Sequence, residues 1–98
     1  MTAYEMFNTI DGYKVVDYIA NSDIIAYKLI ENYYYEDYIK HCKGIFIEIT
    51  FDRRRKYLNI TEEDCSKFKT ITAVINMSVY KAINKQVEEL GWLNENNK

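Results

Sequence analysis

"GIFIEITF", residues 44–51, decides the fold. Ile45, Ile47, Ile49 and Phe51 alternate with Phe46, Glu48 and Thr50. A period of two places the first set on one face of a strand and the second on the other. Working outward from it, "DRRR" (52–55) is a turn and "KYLNI" (56–60) returns antiparallel. The polar segment 61–70 reads as a loop, within which Glu62-Glu63-Asp64 after Thr61 has the form of a one-turn helix start. "TITAVI" (70–75) adds a short fifth strand. Toward the N-terminus, "YKVVDYI" (13–19) and "IIAYKLI" (24–30) are rich in β-branched and aromatic residues. The small polar turn "ANSD" (20–23) joins them as a hairpin, and Asp11-Gly12 is a further turn signal.

Two helices flank these strands. Thr2-Ala3-Tyr4-Glu5 has the form of a capping box, so a short helix is expected over Ala3–Asn8 with Met6, Phe7 and Ile10 inward. Near the other end, Asn76 is an N-cap, and Tyr80, Ile83, Val87 and Leu90 are spaced as a buried helical stripe. Lys81, Lys85 and Glu88 fall on the solvated side. Gly91 suits the left-handed position after the last turn, with Trp92 folding back on Val87. The expected architecture is α+β: one antiparallel sheet of four to five strands, a C-terminal helix across one face and a short N-terminal helix beside it or at an edge. Residues 1–98 form a single domain with a frayed tail over 93–98.

Composition narrows the function classes. The net charge of −2 excludes a strongly basic nucleic-acid binder at the level of the whole chain. Charge is nonetheless uneven. Residues 1–38 hold seven acids against Lys14 and Lys28, a balance of −5, and residues 39–57 hold six cations against Glu48 and Asp52, a balance of +4. The N-terminus lacks the basic and apolar regions of a signal peptide, and no apolar run approaches a membrane span. A cytoplasmic location with reduced thiols is therefore expected. Isoleucine, lysine, asparagine and tyrosine supply 42 residues, and alanine, glycine, arginine and proline only 11. This is the signature of an AT-rich genome, such as that of a low-GC Gram-positive bacterium or its phage, and it accounts for part of the tyrosine excess.

The segment "ENYYYEDY" (31–38) is the leading candidate for a binding surface. Tyrosine offers a large, rigid contact area with a polar tip. Tyr33, Tyr34, Tyr35, Glu36, Asp37 and Tyr38 are assigned to partner contact, with the central tyrosines as anchors. Their structural alternative is a strand end or hairpin loop whose tyrosines lie half-buried at the sheet margin. The turn residues Arg53, Arg54, Arg55 and Lys56 are an alternative phosphate site, for a small nucleotide-like ligand stacked on the tyrosines or for nucleic acid directly. Cationic turns are also ordinary solvated connections. His41, Cys42, Asp64 and Cys65 lack metal-ligand spacing, and no metal or other cofactor is expected. With one histidine, three glycines and no nucleophile–base spacing, the sequence points to no enzyme.

The ends carry a resemblance. "TAYEMF" (2–7) and "AINKQVEELGW" (82–92) resemble the termini of a family of small phage and prophage proteins of low-GC Gram-positive bacteria, with a T-A-x-E-M-F start and an A-I-N-K-Q-x-E-E-L-G-W end. The likeness covers the two helices, about a third of the chain, and carries over no catalytic residues. It implies a phage origin and the fold, and a phage origin favours host-directed roles. Joined to small size, absent catalytic groups and the acidic tyrosine segment, it points to a non-enzymatic interaction protein whose partner is a host protein in the bacterial cytoplasm. Inhibition of a defence system, in the manner of an anti-CRISPR, is one such role. A second copy of the chain, as a homodimer, is another candidate partner.

Overall fold

A computed structural model describes residues 1–64, 69–71 and 74–94. Three helices, α1 (Ala3–Asn8), α2 (Tyr35–His41) and α3 (Met77–Glu89), accompany five strands, β1 (Tyr13–Ala20), β2 (Ile24–Glu31), β3 (Ile45–Asp52), β4 (Tyr57–Asp64) and β5 (Lys69–Ile71). The strands form one antiparallel meander in the order β1-β2-β3-β4-β5. The fold is α+β, as the run of strands between two helices led us to expect. No described helix is long and apolar enough to cross a membrane.

The helical face of the sheet carries the main core. Ile47, Ile49 and Phe51 of β3 join Ile25, Tyr27 and Leu29 of β2, and α1 and α3 cover them with Phe7, Val79, Ala82 and Ile83. Phe7 stacks on Tyr27 at 3.8 Å between ring centroids, and Trp92 reaches Phe51 at 6.2 Å. Both expected helix starts hold. Glu5 N–H donates to Thr2 Oγ1 at 3.1 Å while Thr2 N–H donates to Glu5 Oε1 at 2.8 Å, closing the capping box. Val79 N–H donates to Asn76 Oδ1 at 2.9 Å. Ala3 N–H also donates to Glu89 Oε2 at 2.8 Å, tying the start of α1 to the end of α3.

Four expectations change. The stripe of α3 is rotated: Val79, Ala82, Ile83 and Gln86 are buried, and Tyr80 is 53% exposed. Polar Gln86 conceals this stripe in the sequence, and it is admitted to the core because its Oε1 accepts from Tyr27 Oη at 2.7 Å. Secondly, residues 61–64 are neither loop nor helix start. They extend β4, pairing Thr61 through Asp64 with Glu48 through Ile45, so ladder hydrogen bonds outweigh the weak strand propensity of acidic residues. Thirdly, the fifth strand covers Lys69–Ile71, earlier than 70–75, and residues 72–73 lie outside the described residues.

The fourth change concerns the tyrosines. Asn32–Tyr34 form a 3₁₀ turn leading directly into α2, rather than a strand end or hairpin loop. Glu36 and Asp37 occupy the first turn of α2 and Lys40 and His41 the last, the charge order that a helix dipole favours. The helix ends at Cys42 in the left-handed conformation (φ 52°), where Lys43 N–H donates to Asp37 O at 3.2 Å. Gly44 follows at φ 127°, and a Cβ there would stand 3.0 Å from Tyr34 Cβ. Glycine thus permits both the backbone and the close approach that seats the tyrosines.

Candidate functional site

The segment 32–41 sits on the sheet face opposite α1 and α3. Ile30 and Phe46 form a second, smaller cluster there, on which Val16, Tyr34, Tyr35 and Tyr38 pack. Tyr38 meets Phe46 edge-on at 6.4 Å, and Lys14 Nζ lies 5.2 Å from the Tyr35 ring centroid. A helix was missed here because three consecutive tyrosines favour strand in the abstract. The i, i+3 spacing of Tyr35 and Tyr38, with acids first and bases last, was the signal that could have found it.

The six residues assigned to partner contact therefore divide. Tyr34, Tyr35 and Tyr38 are half-buried and hold the segment to the sheet. Tyr33 is 84% exposed, and its ring meets that of Tyr34 edge to face at 5.1 Å. Glu36 and Asp37 are exposed, with Glu36 held to Lys40 at 3.0 Å. Ile39, which the sequence did not single out, is 59% exposed on the same short helix.

The arginine turn lies at the far end of β3. Asp52 Oδ1 accepts from the backbone N–H of Arg54 and Arg55 at 3.0 and 2.9 Å. Arg54 Nε pairs with Asp23 Oδ1 at 2.6 Å, and Arg53 Nη1 donates to Asn21 O at 2.9 Å. Two of the cations thus clasp the β1–β2 turn. Seven residue steps separate the two ends of β3, about 23 Å at about 3.3 Å per residue. The structure does not bring the arginines and the tyrosines together around one ligand. Cys65 lies outside the described residues, and among the described residues no group of three or more His, Cys, Asp or Glu side chains could hold a metal ion.

A cavity of about 400 Å³ opens at the end of the sheet nearest the tyrosines, beside the start of α3. Ile45, Ile47 and Ile75 give it an apolar floor, and Tyr13, Tyr34, Glu31 and Glu62 supply its polar atoms. The Tyr13 hydroxyl has its pKa raised by burial and then by the charges of Glu31 and Glu62, so it stays protonated. The cavity draws on four strands and a helix start, and no local sequence pattern announces it.

Compared with protein-family models, curated proteins and solved structures, the chain matches none.

Proposed function

We propose that this chain is a non-enzymatic interaction protein that acts by protein–protein contact through the outer surface of residues 33–40. The observation that carries this reading is the division of the tyrosines. Three of them anchor a short helix to the sheet, and that anchoring presents Tyr33 and Ile39 to solvent beside Glu36 and Asp37. A large aromatic side chain on a braced element contacts a partner with little further loss of entropy. The resemblance of residues 2–7 and 82–92 to small phage proteins supports a phage-encoded chain and a host protein as the partner, a defence-system component among the candidates. The acidic charges beside Tyr33 favour a basic surface on that partner, such as a nucleic-acid channel.

The test is capture from host lysate followed by titration of the captured protein. Tyr33→Ala is expected to weaken binding by about thirtyfold or more, the loss of about 2 kcal/mol typical of an anchor. Its melting temperature should match that of the wild type. Arg55→Ala, at the far end of the sheet, should bind normally. Loss of binding in Arg55→Ala with none in Tyr33→Ala would move the function to the arginine turn.

A further inference from the structure

The cavity between Tyr13, Tyr34, Glu31 and Glu62 has a shape and charge that suit one class of occupant. We propose that it receives a single basic side chain, arginine or lysine, from the partner protein. The aliphatic stem would lie on Ile45, Ile47 and Ile75, with the cationic head between Glu31 and Glu62. This assignment rests on the protein–protein reading above and names the chemistry that the partner must bring.

Size is the first argument. At about 400 Å³ the space is near the small end of the range for ligand sites. It admits one long side chain and excludes a folded element. Charge is the second. Neither Glu31 nor Glu62 forms an ion pair with a described residue. Both carboxylates line the same apolar-floored space, where two negative charges favour a cation and disfavour an anion. The positive end of α3 opposes a cation with about half a charge. Asn76 has already engaged one N–H there, and two full carboxylates outweigh the remainder. The ring of Tyr13 adds an aromatic surface suited to an ammonium or guanidinium group. Continuity is the third argument. Glu31 and Tyr34 line the cavity, and the exposed Tyr33 lies between them in the chain. A partner seated on Tyr33 has the cavity within reach of a neighbouring residue.

The test uses capped tripeptides, acetyl-Gly-Arg-Gly-amide and its citrulline counterpart, titrated into the ¹⁵N-labelled protein at low salt. Citrulline keeps the shape of arginine and removes the charge. The arginine peptide is expected to shift the amides of Glu31, Ile45, Ile47 and Glu62 and to bind about tenfold or more tighter than citrulline. In a Glu31→Gln/Glu62→Gln variant that advantage should vanish. Equal binding of the two peptides, shifts centred elsewhere, or an advantage retained in the double variant would overturn the proposal. So would free propylguanidine, a single cation like the arginine side chain, binding about tenfold or more tighter than the arginine peptide, since the site would then serve a small guanidine. The Tyr33→Ala titration separates the two readings. If it loses the partner while the peptides fail, only the cavity assignment falls. If the peptides bind as expected while Tyr33→Ala holds the partner normally, the contact surface falls instead.

Discussion

Tyr27 places a hydroxyl inside an otherwise apolar core, between the stacked ring of Phe7 and the ring of Tyr18 at 4.9 Å. Its pKa is raised, first by burial and then by Tyr18 and Glu89, so the neutral phenol persists through the working pH range and donates to Gln86 Oε1. Tyr27→Phe leaves that buried acceptor unpaired and should cost about 1–3 kcal/mol, measured as a lower denaturant midpoint at unchanged slope. At the surface, Glu5 behaves in the opposite sense. The hydrogen bond from the Thr2 backbone, then the one involving the Thr2 side chain, lowers its pKa from 4.5. A carboxyl with a lowered folded pKa contributes stability that is fully present above its unfolded value and is lost as pH falls through its folded value. Glu5→Gln should therefore make the acid-induced loss of stability below about pH 4.5 shallower, seen by comparing melts of the two proteins at descending pH.

At the scale of elements, α2 carries the proposed contact surface, and substitutions at the half-buried tyrosines probe its hold on the sheet. Tyr34→Ala and Tyr35→Ala should each lower stability by about 1–3 kcal/mol, through lost packing on Ile30 and Phe46. Hydrogen exchange should show residues 32–41 opening before β2 and β3 do. Tyr33→Ala should leave both measurements unchanged. The same contrast explains what was legible. Strands β1 and β2 were readable from their β-branched and aromatic residues, and β3 from the alternation that buries Ile47, Ile49 and Phe51. The start of α3 was readable because Asn76 is a cap in its own right. The continuation of β4 through Glu62 and Asp64 was not, since those residues pair by backbone and keep polar side chains. The burial of Gln86 was hidden because its partner lies 59 positions away. The inward turn of Tyr34 depends on the space that Gly44 leaves, a relation that neither residue states alone. Of the candidate site, the acids Glu36 and Asp37 and the exposure of some tyrosine were legible, but not which one. The central Tyr34 and Tyr35, expected as anchors of a partner contact, are turned onto the sheet, and Tyr33 is the exposed ring. The cavity was not legible, being assembled from distant strands.

At the scale of the molecule, the sheet is covered on one face by α1 and α3 and on the other, near one end, by α2. The covered core is apolar nearly throughout, and the Tyr27 hydroxyl and the Gln86 amide are the polar groups that meet within it. An apolar helix face on an apolar sheet gains comparable area in more than one position. Displacing α3 by one turn, about 5.4 Å, would bring residues three or four positions away, such as Ile83 or Leu90, toward the Tyr27 hydroxyl and strand it. A Tyr27→Phe/Gln86→Leu variant removes both polar groups. It should recover most of the stability lost in Tyr27→Phe, yet show broadened amide resonances along α3. Sharp, wild-type-like resonances there would show that packing alone fixes the helix. The Tyr27–Gln86 hydrogen bond then matters less for how firmly the chain folds than for how many ways it can: it leaves the native state one alignment of helix on sheet where an all-apolar seam would offer several.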